Sequence, residues 1–517
     1  MRSLKILSKD QIFSILLLEA FFRGRKELDG PSYHALLAKG MDAGVNGKED
    51  LDSCSKHFGV SGRHYARCFD EAAQRAEKWV EQGFWIAAWQ DENCLPQHCP
   101  KVLFGSGKCH SDGRWLAVFN SRKAKLTSPD AQWLAALRQA LADPALGTAT
   151  GIASSCGTTT YDLLTAFARQ GDRPLCLVLP FPLDEMTTDQ RLASLLADKG
   201  PELALTCQSA ALQCPKADRL RCRDRLLAHL ADIHLALEIR AGGNLQGILQ
   251  ERHASRPGRL IVLQPAAPGP QNAGNFSLLE RFPAAETFQL QNPPKTAPAV
   301  ASPAPPRLCG QALPTREYWS RYLYHYTRAC PGPWPGQSYR DYLLALLANE
   351  PLCAHSALET LVRMLREQRL RASSRITRGA QPVISWSARP PSEIAAMRRW
   401  NPALIRWTFE PYGIAISKNV LQALGAKPAI YARDGVFSRL PGHDRFRYQR
   451  HEPPTCAWKQ EREWRLPGDL ALDERCRRHG FIFVDSDADA EYVARSAEMD
   501  MPIMVLSALR SAPGPLS

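Results

Sequence analysis

Short apolar segments alternate with amphipathic segments through the middle of the 517-residue chain. The apolar segments have the length of buried strands, and the segments between them repeat apolar residues at helical spacing. The strand candidates cover residues 115–119, 175–179, 234–237 and 260–263, and the helix candidates cover residues 129–141, 161–170 and 184–198. This alternation predicts an α/β fold whose core, residues 83–291, is a Rossmann-like parallel sheet with helices on both faces.

Different patterns flank this core. Residues 1–82 predict an N-terminal helical domain, in which residues 53–67 form either a helix-turn-helix with a basic second helix or a plain helical hairpin. Residues 292–314 are rich in proline and alanine, a composition that favours extended chain, and they predict a linker. Residues 315–510 start with an aromatic-rich helical pattern and end with a strand pattern at 501–506, and they predict a C-terminal α+β domain.

The composition narrows the class of protein. With 44% hydrophobic residues, the chain has enough apolar side chains for two or three globular domains. The formal net charge of +13 favours a polyanionic partner such as nucleic acid, although a solvated basic surface is the alternative. The 15 cysteines include no CxxC pair, so we expect reduced thiols and no structural zinc. We also expect no cofactor. No apolar run reaches the roughly 18 residues of a membrane span, so we expect a cytoplasmic protein.

A small polar and basic turn follows the strand predicted at 115–119. It contains Asn120, Ser121, Arg122 and Lys123. A parallel strand that runs through such a turn into a helix brings backbone N–H groups, the helix dipole and a guanidinium to one point, which suits a phosphate. The alternative is that Arg122 pairs with a carboxylate such as that of Glu238 across the strand ends.

The motifs around this turn, taken in chain order, resemble those of the DNA-processing protein A (DprA/Smf) family. The family has a Gly-Ile strand, an Asp-x-x-Tyr-Pro segment, a Pro-x-x-Leu-Phe strand and a Val-Gly-Ser-Arg turn, and the similar segments here are 83–86, 91–96, 100–104 and 118–123. Later family motifs resemble residues 150–153, 174–180, 238–239, 242–245, 259–265 and 274–279. The resemblance covers most of residues 83–290. It implies a Rossmann-like fold that binds single-stranded DNA and forms dimers.

The resemblance also implies roles for individual residues. Arg122 and Lys123 would contact phosphates of single-stranded DNA, because a guanidinium binds phosphate through two parallel hydrogen bonds. Small residues let the backbone approach a ligand, so two further loops would complete the pocket. These loops contain Gly151 in one case and Gly242, Gly243 and Asn244 in the other.

The chain departs from the family pattern in one loop. Ser-Ser-Cys-Gly, which begins with Ser154 and Ser155, stands where the family has Arg-Gly-Ile-Asp. These hydroxyls open a helix, so they would either cap that helix or receive a nucleotide phosphate. A nucleotide is therefore the alternative to single-stranded DNA as the ligand.

The C-terminal region resembles the AbiGi group of abortive-infection proteins. The shared motifs are a Pro-Val-x-Tyr strand, a Tyr-Gly-x-Gly/Ala-Ile strand and a Glu-Arg-Glu-Trp-Arg strand, here at 382–387, 412–416 and 461–465. The arrangement is also similar to ADP-ribosyltransferase-like folds, which implies a catalytic pair formed by His325 and Glu463. The alternative is a salt-bridged strand face around Trp464, with His325 in the core. A surface for single strands is a further alternative, formed by Arg445, Arg447, Tyr448 and Arg450.

Together the two resemblances predict a DprA-like protein that binds single-stranded DNA or a nucleotide. The C-terminal domain favours a place in a bacterial phage-defence or toxin–antitoxin system, where the chain would act as an antitoxin or a sensor beside a partner toxin. One alternative is an ADP-ribosyltransferase-like effector that the Rossmann-like domain holds inactive. Another is a mediator of recombination that protects DNA. We expect a binding protein rather than an enzyme.

Overall fold

The computed structural model describes residues 4–8, 11–12, 15–17, 20, 62–89, 102–108, 114–121, 129–147, 151–208, 215–256, 258–265, 267–290, 315–374, 377–393, 397–401, 406–453 and 458–507. The chain divides into two compact units. Unit 1 contains residues 1–293 and 336–350, and unit 2 contains residues 294–335 and 351–517. The predicted linker at 292–314 lies outside the described residues, as does the predicted helix-turn-helix at 53–67 apart from its last six residues.

Unit 1 is built on a mixed sheet of ten strands in the order β1-β2-β3-β7-β6-β5-β4-β8-β9-β10. Strands β4 to β10 pair in parallel with one another. Strands β1, β2 and β3 add an antiparallel edge beside β7. The strands are β1 (Leu4–Ile6), β2 (Phe84–Trp89), β3 (Val102–Gly107), β4 (Trp115–Phe119), β5 (Gly151–Ser154), β6 (Leu175–Leu179), β7 (Leu203–Thr206), β8 (Ile233–Ala236), β9 (Arg259–Leu263) and β10 (Glu286–Phe288).

Helices connect the parallel strands and cover the sheet. Numbered along the whole chain, those of unit 1 are α1 (Gly62–Glu81), α2 (Gln132–Ala142), α3 (Pro144–Gly147), α4 (Thr159–Gln170), α5 (Gln190–Leu195), α6 (Lys216–Leu230), α7 (Asn244–Ser255), α8 (Ala273–Arg281) and α10 (Tyr339–Ala348). All five residues of β4 and of β6 are buried, as expected for strands with helices on both faces. The predicted α/β class with a Rossmann-like core is confirmed.

The helix α10 belongs to unit 1, although the chain before and after it belongs to unit 2. Ser338 caps the helix by accepting a hydrogen bond from the N–H of Asp341 at 3.0 Å. The hydroxyl of Tyr339 donates to a carboxylate oxygen of Asp162 at 2.7 Å. The core of unit 1 is thus completed by a segment that follows the predicted linker, so unit 1 is not continuous in sequence.

Unit 2 is built on a seven-stranded sheet in the order β17-β20-β13-β11-β16-β22-β23. All neighbouring pairs are antiparallel except β22 with β23. The strands of unit 2 are β11 (Tyr322–Tyr326), β12 (Arg369–Leu370), β13 (Val383–Ser387), β14 (Trp400–Asn401), β15 (Arg406–Trp407), β16 (Gly413–Ser417), β17 (Lys427–Pro428), β18 (Ile430–Ala432), β19 (Tyr448–Arg450), β20 (Glu463–Pro467), β21 (Leu470–Ala471), β22 (Gly480–Val484) and β23 (Ile503–Val505).

The unit 2 sheet packs a different apolar cluster on each of its two faces. We call the faces A and B. Tyr324 and Phe483 belong to an aromatic cluster on face A. Leu323 and Ile414 belong to a larger, mainly aliphatic cluster on face B. The helices of this unit are α9 (Arg316–Ser320), α11 (Ala357–Arg366), α12 (Lys418–Ala423), α13 (Glu474–Arg478) and α14 (Asp487–Ser496). In neither unit is a described helix both long and apolar enough to cross a membrane.

Candidate functional site

The parallel strands of unit 1 run outward in both directions from β4. Strand β5 and then β6 and β7 lie on one side of β4, and β8, β9 and β10 lie on the other. The connections therefore reverse direction between β4 and β8. Open α/β sheets bind ligands at such a switch point, beyond the carboxyl ends of the strands. The loops that follow β4, β5 and β8 form this edge here, and we call it the switch edge.

Asn120 and Ser121 join these loops. The side-chain amide of Asn120 donates to the hydroxyl of Thr160 at 3.1 Å, and its oxygen accepts from the N–H of Glu238 at 3.3 Å. The N–H of Ser121 donates to the carbonyl oxygen of Glu238 at 2.8 Å. The hydroxyl of Ser121 accepts from the N–H of Arg240 at 2.9 Å. Both side chains are buried, so they hold the loops in place and do not form the surface that a ligand meets.

A second buried amide fixes the loop after β8 from the other side. The oxygen of Asn275 accepts from the N–H of Ile239 at 2.8 Å, and its nitrogen donates to the carbonyl oxygens of Leu237 and Leu263, each at 2.6 Å. The preceding Gly274 lets the helix approach this closely, because a Cβ atom there would lie 2.7 Å from the carbonyl oxygen of Ile239. The switch edge is therefore rigid where β8 ends.

The serines of the loop after β5 face the protein interior. The hydroxyl of Ser154 donates to the carbonyl oxygen of Tyr161 at 2.9 Å, and that of Ser155 accepts from Arg223 at 3.1 Å. Neither side chain is exposed to solvent. Thr158, not a serine, caps helix α4 by accepting from the N–H of Tyr161 at 3.4 Å. The two serines thus lie at the switch edge but are buried beneath its surface.

The charges near the start of α4 are also neutralised internally. Arg223 forms an ion pair with Asp224 at 2.8 Å and lies over the ring of Tyr161 at 4.8 Å. Burial raises the pKa of the Asp162 carboxyl to about 6, although the hydroxyl of Tyr339 and the nearby Arg191 act in the opposite direction. The first turn of α4 is therefore capped, buried and adjacent to a carboxylate, which does not suit an anionic ligand.

The loop after β8 has the opposite character. Gly242 and Asn244 are exposed, and Gly243, the cap residue of the 12-residue helix α7, has no side chain to accept from the first turn. The side chain of Gln246 accepts from the N–H of Gly242, which lies before the helix, at 2.6 Å. The first N–H groups of a helix have no partner within it, and they carry the positive end of its dipole. The exposed Arg240 lies in the same loop, held by a hydrogen bond from its Nε to Gln271 at 2.9 Å. This part of the switch edge can receive a phosphate.

The remaining residues predicted for this site lie elsewhere or outside the described chain. Gly151 begins β5, at the opposite end of the strand from the switch edge, where a Cβ atom would lie 2.6 Å from the ring of Trp115. Close packing of that ring explains the glycine. Arg122 and Lys123 directly follow the described Ser121 but are themselves outside the described residues. Their contact with phosphate remains a prediction.

The structure does not bring His325 and Glu463 together. His325 pairs with Ile414 across β11 and β16, on face B, and its imidazole lies 2.9 Å from the carbonyl oxygen of Ser385. Burial lowers the pKa of this imidazole to about 4. Glu463 pairs with Ser387, and Ser387 pairs with Tyr324 on face A. Since neighbouring residues of a strand point to opposite faces, the sheet separates the two side chains.

Glu463 instead forms a partly buried ion pair with Arg465 on its own strand. One carboxylate oxygen accepts from the hydroxyl of Ser385 at 2.8 Å and from Nε of Arg465 at 2.9 Å. This matches the salt-bridged strand face that the sequence analysis gives as the alternative. In the predicted arginine and tyrosine surface at 445–450, the ring of Tyr448 is not available for stacking, because Tyr448 is only 3% exposed.

The two units differ in charge. Unit 1 contains 35 Lys and Arg residues against 33 Asp and Glu residues, whereas unit 2 contains 30 against 19. The excess of positive charge that led us to expect a polyanionic partner therefore resides mainly in unit 2.

Comparisons with known proteins gave a few structural neighbours. No family model and no curated protein matches the chain. DNA processing protein A (DprA) from Streptococcus pneumoniae is similar, with 16% identity and a TM-score of 0.37, over 55% of this chain and 95% of that one. DprA from Helicobacter pylori, described with a unique single-stranded DNA binding mode, is also similar. It has 15% identity and a TM-score of 0.30, over 40% of this chain and 90% of that one.

Proposed function

We propose that unit 1 binds a phosphate-bearing ligand, a nucleotide or a single-stranded nucleic acid, at its switch edge. The observation that supports this most is the uncapped, exposed start of α7 beside Arg240. There the ligand phosphate would accept hydrogen bonds from the first N–H groups of the helix and from the guanidinium. The hydrogen bond from the N–H of Arg240 to Ser121 places this loop directly beside the turn after β4, from which Arg122 would reach the same phosphate.

The charge of unit 1 favours a ligand with few phosphates at this edge. Its 35 basic and 33 acidic residues nearly cancel, so the unit as a whole does not attract a long polyanion strongly. Local groups at the switch edge must supply the affinity. A nucleotide, or one or two nucleotides of a strand, would match the size of that cluster.

The test compares Arg240→Ala with Arg259→Ala in the full chain. Arg259 lies at the start of β9, at the opposite end of the sheet, where it pairs with Glu286 at 2.7 Å. Binding of ATP by calorimetry and of a labelled 20-mer of oligo(dT) by fluorescence anisotropy covers both ligand classes. Because a charged hydrogen bond to phosphate is lost, Arg240→Ala should weaken binding of the true ligand about tenfold. Equal affinities of wild type and Arg240→Ala for both probes would contradict the proposal.

We further propose that ligand binding serves a sensor or antitoxin role in a bacterial phage-defence or toxin–antitoxin system. The support is the resemblance of the motifs at 382–387, 412–416 and 461–465 to AbiGi proteins. The test is expression beside the neighbouring gene. An antitoxin relieves growth arrest by that gene and forms a complex with its product. Growth arrest that persists when this chain is present would contradict the antitoxin role. Separately, sedimentation of the purified chain tests whether it is a dimer.

A further inference from the structure

Two tryptophans are exposed side by side on a hairpin of unit 2. Trp400 is 47% exposed and Trp407 is 36% exposed. They pair across β14 and β15, with ring centroids 5.6 Å apart at an interplanar angle of 75°. The guanidinium of Arg398 lies 4.5 Å from the centroid of the Trp407 ring. Exposed tryptophans combined with arginine are the usual means of stacking nucleic-acid bases and contacting the backbone between them.

The hairpin is fixed to the sheet of unit 2. The N–H of Thr408 donates to the carbonyl oxygen of Arg399 at 2.9 Å, and the N–H of Arg399 donates back to the hydroxyl of Thr408 at 2.9 Å. Nε of Arg328, just after β11, donates to the carbonyl oxygen of Thr408 at 2.6 Å. The tryptophans thus stand on an anchored platform, which reduces the entropy lost when a ligand stacks on them.

A cleft of about 250 Å³ opens beside the hairpin on face A. Its floor is preorganised, because Arg465 binds Glu463 at 2.9 Å and also donates to the carbonyl oxygens of Phe446 and Tyr448. Amide, hydroxyl, carboxylate and guanidinium groups all reach the cleft, which suits the polar edge of a base and a phosphate. The lining residues are Arg328, Ser385, Asn401, Arg406, Trp407, Thr408, Gln449, Glu461, Glu463 and Arg465.

The electrostatics of the cleft favour an anion despite its two carboxylates. Glu463 is neutralised by Arg465. Burial raises the pKa of Glu461 to about 7, so this side chain carries only part of its negative charge at neutral pH. Arg328 and Arg406 also line the cleft, in a unit with 30 basic and 19 acidic residues. The cleft and its surroundings are therefore positively charged.

We propose that this hairpin and cleft bind single-stranded nucleic acid. Bases stack on Trp400 and Trp407, one nucleotide enters the cleft, and the backbone phosphates contact the arginines around it. A free nucleotide shares the same chemistry, but the second exposed tryptophan extends the platform beyond the cleft and favours a strand. The inference concerns unit 2 and does not depend on the ligand of the switch edge in unit 1.

The experiment measures binding of a fluorescein-labelled 20-mer of oligo(dT) to the full chain by anisotropy, at 50 and 200 mM NaCl. Trp400→Ala and Trp407→Ala should each weaken binding about tenfold, since each removes one stacking surface. Trp407→Phe retains a ring and should recover most of the affinity. Leu424→Ala is the matched control, because Leu424 is an exposed apolar residue of unit 2 that follows α12, a helix packed on face B.

Each outcome decides between specific alternatives. Unchanged affinity in both alanine variants, with circular dichroism showing that they are folded, would overturn the proposal. If dTMP competes for the site as effectively as the unlabelled oligonucleotide does, the proposal is also overturned, because the ligand is then a free nucleotide. Loss of binding in Trp407→Ala but not in Arg240→Ala supports this site and assigns the oligonucleotide to unit 2. The reverse pattern would assign it to the switch edge of unit 1 and refute the present inference.

Discussion

At the scale of single residues, buried carboxyl groups give the most direct tests. Asp162 is 2% exposed and its pKa is raised to about 6, above the ordinary 3.8. The folded state therefore holds this proton more tightly than the unfolded state does. The contribution of the protonated Asp162 carboxyl to the free energy of unfolding is fully present below pH 4. It is lost as the pH rises from about 4 to 6 and stays lost above that window. The shift of about two units corresponds to roughly 3 kcal/mol.

Replacing Asp162 should change the pH dependence of stability. In Asp162→Asn the amide oxygen can still accept from Tyr339, but the side chain no longer titrates. Between pH 4 and pH 7 the free energy of unfolding, measured with urea, should therefore fall by about 2–3 kcal/mol less than that of wild type. Tyr339→Phe removes a hydrogen bond that favours the ionised carboxylate, and should extend the upper end of the window to higher pH, because only the folded-state pKa rises. Parallel stability curves for wild type and Asp162→Asn would contradict this account.

Glu461 makes ligand binding in the unit 2 cleft depend on pH. Its pKa of about 7 results from burial and the neighbouring Glu463, opposed by Arg328 and Arg465, and Arg406 lines the same cleft. Above this value the carboxylate is charged and repels a phosphate. Oligonucleotide affinity should therefore fall several-fold between pH 6 and pH 8. In Glu461→Gln the decline should be much smaller, and an equally steep decline in that variant would exclude Glu461 as its cause.

At the scale of elements, a substitution at the start of helix α7 should weaken ligand binding while it leaves the stability of the fold nearly unchanged. Gly243 occupies the cap position with φ −80° and ψ 159°, backbone angles open to any residue, and a Cβ atom there would lie 3.2 Å from the carbonyl oxygen of Arg240, which must shift by a few tenths of an ångström. In Gly243→Asp the carboxylate should cap the helix, which changes stability by no more than about 0.5 kcal/mol, and it should also compete with a ligand phosphate for the same N–H groups. Binding of the unit 1 ligand should fall at least about tenfold. The test pairs thermal unfolding with calorimetry, and undiminished binding by a folded variant would argue against the helix start as the site.

The elements of unit 1 also show what the sequence can and cannot predict. The strands at 115–119 and 175–179 agree with the structure residue for residue, because buried parallel strands are continuous apolar runs. The helix predicted at 184–198 is instead a 3₁₀ turn, Leu183–Glu185, followed by α5, since the side chain of Asp189 caps a new helix. The resemblance implies strands at 83–86 and 100–104, which overlap β2 and β3, but β1 and the antiparallel pairing of this edge were not predicted. Edge pairing depends on contacts far apart in sequence, which periodicity does not report.

The candidate site shows the same division. The strand-to-turn pattern correctly predicted that Asn120 and Ser121 follow a strand, whereas the helix that begins at Asn244, directly after the glycine pair, was not predicted. The burial of Ser154 and Ser155 could not be foreseen, because Ser155 is covered by a guanidinium 68 residues away in sequence. The exposure of Arg240 also depends on the fold, and a basic residue two positions before the glycine pair was its only sequence signal.

At the scale of the whole molecule, the uneven charge predicts two kinds of nucleic-acid affinity. Counterion release makes the logarithm of single-strand affinity fall with the logarithm of salt concentration, by about 0.7 for each phosphate neutralised. Unit 2, with 30 basic and 19 acidic residues, should dominate this slope, and the nearly neutral unit 1 should contribute little. Arg398→Gln, in the exposed arginine beside Trp407, should therefore reduce the slope for oligo(dT) by about 0.7, whereas Arg240→Ala should leave it unchanged. Titrations at four salt concentrations between 50 and 300 mM measure both slopes. A slope that falls in Arg240→Ala and not in Arg398→Gln would place the polyanion on unit 1. The basic surface of unit 2 would then be a solvated surface without a polyanionic partner.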